Sequence, residues 1–158
     1  MPKNEVLKKA FDLLSRRAHS AKELRDKLYK RKFHKSDIDT VIAECGRLGL
    51  LNDELFANDY AAELAGQGQG RFKIKMKLRN KGLSQDNIEK ALEKINDNEE
   101  ENAEQALKGK LRSLIHEDDI NKRRQKAYRF LAYRGFSSDI ITKLMDKTEE
   151  LQYRPYDY

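Results

Sequence analysis

A threefold apolar pattern constrains this chain more than any other feature. Leu28, Phe33, Ile38, Val41 and Ile42 return without a gap as Leu78, Leu83, Ile88, Ala91 and Leu92, and again as Leu131, Phe136, Ile141, Leu144 and Met145. The offsets, about 50 residues each, divide nearly the whole sequence into three related units, expected at 1–50, 51–96 and 97–158. A unit of that length buries too little apolar surface to stand alone, so neighbours must share the task. Stacked units build a surface, whereas an active site is usually one cavity with one asymmetric set of groups. The pattern therefore predicts a binding protein before an enzyme.

Composition agrees with thin cores spread along an extended array: 38% of the 158 residues are hydrophobic and 38% are charged. Cys45, the one cysteine, excludes an internal disulfide and a cysteine-rich zinc cluster and reads as core. Lys3, Glu5, Lys8, Lys9, Asp12, Arg16 and Arg17 interrupt the first 20 residues, leaving no apolar signal segment, and no stretch is long and apolar enough for a membrane span. A cytoplasmic protein is expected. The net charge of +6 hides an alternation, because residues 1–35 carry +8, 36–70 carry −6, 71–95 carry +5, 96–120 carry −5 and 121–158 carry +4. Each basic block holds the corresponding part of one repeat, which suits a polyanion tracked by successive units. The alternative is that acidic and basic helices neutralise one another.

The first unit reads as helices over about 4–17, 20–32 and 36–48. Leu7, Ala10, Phe11 and Leu14 form the first stripe, and Leu24 and Leu28 the second. Ser20 with Glu23 makes a capping box; Ser36, Ser84 and Ser137 are further expected N-caps, and Gly49 a helix stop. The second unit opens near Asp53, with Phe56, Ala57, Tyr60, Ala61 and Leu64 inward, and closes near Ile95. Its three glycines at 66, 68 and 70 read as a flexible joint, without the preceding strand and spacing of a phosphate loop. The polar run 96–102 reads as a joint or the start of the third unit, which continues through helices at about 118–134 and 137–151. Tyr153, Tyr156 and Tyr158 mark a tail after the last helix.

Residues 72–79 pose a conflict. Phe72, Ile74, Met76 and Leu78 alternate with Lys73, Lys75, Lys77 and Arg79, which locally reads as a strand. No second segment offers a pairing partner, and the repeat aligns Ile74 and Leu78 with Leu24 and Leu28 of a well-capped helix, so helix is expected. Phe72 and Met76 then lie roughly 160° around the wheel from Ile74 and Leu78. Their counterparts are Lys22 and Asp26, and Gln125 and Arg129, so Phe72 and Met76 are expected to touch another repeat or a partner.

No catalytic group, cofactor-binding motif or metal site is expected. His19, His34 and His116 are scattered and read as solvated, while Asp53-Glu54 and Asp118-Asp119 read as helix-start acids. No nucleophile or Walker motif appears.

Three segments together resemble the RecX family of bacterial recombination regulators. They are Leu13-Leu14-Ser15-Arg16-Arg17 followed by Ser20, Glu23-Leu24 and Leu28; Gly49-Leu50-Leu51-Asn52-Asp53-Glu54-Leu55-Phe56-Ala57; and Leu78-Arg79-Asn80-Lys81-Gly82-Leu83 before Ile88 and Ala91-Leu92. The resemblance spans the chain and is strongest over 7–92. Glu63-Leu64-Ala65 departs from it, standing where the family is often richer in arginine. It implies an all-α molecule of three tandem three-helix repeats in an elongated, curved array. It also implies a non-enzymatic negative regulator that binds filaments of the RecA recombinase on single-stranded DNA, lodges in their groove and suppresses recombinase, ATPase and co-protease activities, modulating DNA repair and the SOS response.

Basic second helices on successive units suit phosphate contacts, while acidic segments suit basic elements of a protein filament. The expected contacts are Arg25, Lys27, Arg31 and Lys32; Arg71, Lys73, Lys75, Lys77, Arg79 and Lys81; and Arg123, Arg124, Lys126, Arg129 and Arg134. The absence of a heptad run predicts a monomer. Two readings compete: a helix-turn-helix-like protein that binds DNA without a recombinase, and a helical adaptor with no nucleic-acid role.

Overall fold

The structure, a computed structural model, describes residues 2–148 and 151, with side chains from residue 4 onward. Among the described residues nine α-helices make up most of the structure: α1 Pro2–Arg16, α2 Ala21–Lys30, α3 Lys35–Arg47, α4 Asp53–Gly66, α5 Arg71–Asn80, α6 Gln85–Ile95, α7 Glu99–Ser113, α8 Ile120–Tyr133 and α9 Ser138–Lys147. A 3-10 turn at Asn96–Asn98 precedes α7, and no strand occurs among the described residues. Three helices fall to each repeat, and the segment of alternating lysines is helical, as the repeat requires. The Tyr-rich tail lies outside the described residues.

Side-chain caps set most helix starts. Ser20 accepts from the Glu23 amide while the Glu23 carboxylate accepts from the Ser20 amide, completing the capping box on α2. Ser84, Asp119 and Ser137 cap α6, α8 and α9 by accepting from amides of the first turn. Ser36 does not. Helix α3 begins one residue earlier, at Lys35, with His34 in the cap position and no side-chain bond, which leaves Ser36 in the first turn. Gly49, at φ +74°, turns the chain out of α3 as expected. The inner stripe of α1 is Val6, Ala10 and Leu13; Leu7 and Leu14 sit beside it, but Phe11 points out and is exposed.

Two compact bodies form, and they cut across the repeats. One comprises Met1–Tyr60 with Lys77–Ala91, the other Ala61–Met76 with Leu92–Tyr158. In the first, Val6, Ala10, Leu13, Leu24, Leu28, Ile38, Val41, Cys45 and Leu51 build the core. The second is organised around Ala103, Leu107, Ala127, Leu131, Phe136, Ile141, Leu144, Met145 and Leu151. Cys45 is fully buried, and burial raises its thiol pKa, as befits a core residue.

Each body contains one copy of the same joint. In the first, the start of α2 meets the turn after α5: the Ser20 hydroxyl donates to the Lys81 carbonyl (2.6 Å), and the Ala21 amide donates to the Asp53 carboxylate (2.9 Å) at the head of α4. In the second, the start of α5 meets the turn after α8. The Gly70 amide donates to the Arg134 carbonyl (2.6 Å), Phe72 to the Gly135 carbonyl (3.1 Å), and Arg71 to the Glu99 carboxylate (3.1 Å) at the head of α7. The glycine segment 66–70 is thus a bonded turn: α4 runs through Gly66, Gln69 donates to Leu64, and a Cβ on Gly70 would lie 2.4 Å from the Gly135 carbonyl carbon. Gly82 and Gly135 occupy the left-handed corner of each joint, at φ +74° and +95°.

Candidate nucleic-acid interface

Helices α2, α5 and α8 are the second helix of each repeat and carry most of the expected contacts. Their inward positions are Leu24 and Leu28, Ile74 and Leu78, and Ala127 and Leu131, all fully buried. Residues 21–30 and 71–80 match position by position in burial, so the two helices turn equivalent faces outward. That register decides which cations reach solvent.

The structure sorts the basic residues into two groups. Arg25 pairs with Asp39, Arg71 donates to Asn96 (2.5 Å), Lys81 pairs with Glu23, and Arg123 holds the Glu117 carbonyl (3.1 Å). Arg124 bonds the Leu151 carbonyl and faces Asp146, Lys126 pairs with Glu117 (2.7 Å), and Arg134 donates to the Gln67 carbonyl (3.1 Å) while lying 4.8 Å from the Phe130 ring. Lys73 lies 4.2 Å over the Tyr133 ring. These groups already have work within the fold. Arg31, Lys32, Lys75, Lys77, Arg79 and Arg129 show no ion pair or side-chain hydrogen bond among the described residues. They are the cations left for an external anion.

Lys27 has a different setting, in a cluster that the sequence did not disclose. His19 is only 3% exposed, a correction to the expectation that all three histidines are solvated; His34 and His116 are exposed. Its Nδ1 lies 2.9 Å from the Arg17 carbonyl and its Nε2 2.8 Å from Lys27 Nζ. A carbonyl needs a donor and an ammonium an acceptor, so the ring is neutral with its proton on Nδ1. Burial pushes the imidazole below its ordinary pKa; the Arg17 carbonyl opposes this, and the Arg17 and Lys27 charges reinforce it. Burial would raise the neighbouring Glu23 carboxyl, yet hydrogen bonds from Arg17, Lys81 and the Ser20 amide, with the Lys81 charge, bring it down to about 2. His19 aligns with Gln69, a partly buried polar residue just before a second helix, but nothing in the sequence announces the burial of either.

Apolar side chains accompany the free cations. Phe72 and Met76 point to solvent, at 58% and 55% exposure, and Tyr133 is 78% exposed. On α8, Lys122, Arg124, Tyr128 and Arg129, with Met145 of α9, line a groove of about 690 Å³. Neither Tyr128 nor Tyr133 stands out in the sequence. No group of three or more His, Cys, Asp or Glu side chains able to hold a metal occurs among the described residues. No helix among them is long and apolar enough to cross a membrane.

Three family models match in chain order: the first three-helix domain of RecX over residues 7–45, the second over 52–92 and the third over 97–145. The chain belongs to the RecX family. The regulatory protein RecX of Legionella pneumophila (strain Corby) is 38% identical over 146 residues, covering 89% of this chain and 95% of that one. Its counterpart in Chlorobium phaeobacteroides (strain BS1) is 35% identical, covering 89% and 93%. The crystal structure of RecX from Lactobacillus salivarius superposes with a TM-score of 0.82 at 26% identity, over 92% of this chain and 96% of that one. The RecX family therefore supplies both the all-α, three-domain fold and a regulatory role.

Proposed function

We propose that this protein is a negative regulator of the RecA recombinase: a non-enzymatic, cytoplasmic monomer that binds RecA filaments on single-stranded DNA, lodges in their groove and inhibits recombinase, ATPase and co-protease activities, so modulating DNA repair and the SOS response. One observation carries the reading beyond family membership. Basic second helices recur in all three repeats, and six cations in or just after them show no ion pair or side-chain hydrogen bond among the described residues. A filament offers such cations a phosphate track, and its protein surface offers the acidic segments basic partners. Repeats bounded at 1–50, 51–96 and 97–158 would each bring one such helix to the groove.

The test is ATP hydrolysis by the cognate RecA on single-stranded DNA, titrated with this protein at fixed DNA. Inhibition well below one copy per recombinase is expected, with a control showing that the DNA is not merely masked. Absence of inhibition together with tight binding to naked DNA would favour a helix-turn-helix-like DNA-binding protein that needs no recombinase.

A further inference from the structure

The outer face of α5 is apolar where the equivalent faces of the other repeats are not. Phe72 and Met76 lie about 40° apart on the helical wheel, opposite the buried Ile74 and Leu78. At the matching positions of α2, Lys22 and Asp26 form a solvated ion pair (2.9 Å), and α8 carries Gln125 and Arg129. The fold therefore does not require apolar side chains there, since two of three copies do without them. Water does not favour them either.

The neighbourhood of this face is aromatic and cationic. The Phe72 amide donates to the Gly135 carbonyl (3.1 Å), which brings the start of α5 beside the end of α8, where Tyr133 projects. Lys73 covers one side of the Tyr133 ring at 4.2 Å. Lys75 is free, and α5 contains no acidic residue at all. A protein-binding patch is usually depleted of lysine at its centre. Alternation of exposed rings with unpaired cations is instead the composition of a platform on which unpaired bases stack while the backbone is held electrostatically.

We infer that Phe72, Met76 and Tyr133, flanked by Lys73 and Lys75, form a stacking platform for the bases of single-stranded nucleic acid. Duplex DNA does not suit it, because paired bases present edges rather than faces. The inference rests on the proposed engagement of DNA and adds to it a contact with bases, distinct from phosphate contacts. It also distinguishes the repeats: bases meet the outer face of α5 and the end of α8, while phosphates meet the free cations after α2 and along α5 and α8.

The experiment uses the full chain, oligo(dT) carrying one 2-aminopurine, and the double variant Phe72→Ala/Met76→Ala, whose sites are exposed and whose melting curve should match the wild type. Wild-type binding should change the 2-aminopurine fluorescence. The variant should bind about tenfold more weakly, lose that optical response and keep the salt slope of binding, since no phosphate contact is removed. Phe72→Trp should restore affinity. Unaltered oligo(dT) affinity and fluorescence in the variant overturn the inference, and if inhibition of RecA is then lost the face belongs to a protein contact. Wild-type protein that inhibits RecA without binding oligo(dT) also overturns it while sparing the proposed function. Wild-type protein that does neither removes both.

Discussion

His19 shows how much one residue's surroundings weigh against its type. A lone histidine in a polar sequence reads as solvated, and only the packed fold places its ring between the Arg17 carbonyl and Lys27 Nζ. Because its pKa is lowered, the unfolded chain takes up a proton at a pH where the folded chain does not. Stability is therefore expected to be full above about pH 6.5, the ordinary imidazole value, and to fall as the pH drops through that of the folded ring. His19→Gln should cost about 1 kcal/mol at pH 8 and remove this loss, measured by urea unfolding at pH 8 and pH 5.5. Glu23 titrates in a lower window. Its depressed carboxyl stabilises the fold above about pH 4.5 and ceases to do so as the pH falls toward 2. Glu23→Gln should flatten that limb, at a cost on the order of 2 kcal/mol at neutral pH, because Arg17 and Lys81 lose their shared carboxylate. A wild-type profile flat between pH 8 and 5.5 would contradict the neutral buried imidazole.

At the scale of the helix and its corner, the same position after the second helix of each repeat is left-handed: Lys32 at φ +63°, Gly82 at +74° and Gly135 at +95°. Glycine is required where another helix start abuts the corner. A Cβ on Gly135 would lie 2.5 Å from the Lys73 amide nitrogen, and one on Gly82 would lie 2.1 Å from the Lys22 side chain. Lys32 is exposed, so its position tolerates a side chain at the cost of the left-handed backbone alone. Lys32→Gly should accordingly stabilise by about 0.5–1 kcal/mol, whereas Gly135→Ala should destabilise by about 3 kcal/mol, both read from chemical denaturation midpoints. Equal effects of the two would refute the joint as the reason for glycine. The helices themselves were legible because apolar spacing, the Ser20–Glu23 box and the repeat offset are local signals that agree. The joints were not, since they join Ser20 to Lys81 and Gly70 to Arg134, and no local pattern announces a bond between residues so far apart. The glycine segment misled for that reason: three glycines signal freedom locally, while Gly70 serves the close approach to Gly135. Ser36 and Phe11 failed more modestly: α3 takes His34 as its cap without a side-chain bond, two residues before Ser36, and Val6 and Leu13 fill the inner stripe of α1 in place of Phe11.

Across the whole chain, the charge alternation is only partly consumed by pairing within the fold, and the remainder leads to a quantitative expectation. Part of each acidic block is used internally: Asp39 holds Arg25, Asp53 and Glu99 cap α2 and α5, Glu100 takes Lys143 and Lys147, and Glu117 takes Lys126. Neutralisation of helix by helix thus accounts for some of the pattern but leaves Arg31, Lys32, Lys75, Lys77, Arg79 and Arg129 unassigned. If those six contact phosphates of a single strand, each releases a counterion on binding. Replacing all six by glutamine should then lower the dependence of log K on log salt by up to about 4, at little cost in stability because no partner is left unpaired. Replacing Arg123, Arg124 and Lys126 should do the reverse. Arg123 and Arg124 hold the Glu117 and Leu151 carbonyls, and Lys126 the Glu117 carboxylate, so stability should fall while the salt slope changes little. Both sets are measured on the same RecA filament, by affinity at several salt concentrations and by thermal unfolding. If the six-site variant keeps the wild-type slope, the free cations face something other than phosphate, and the acidic blocks become the next place to look for the filament contact.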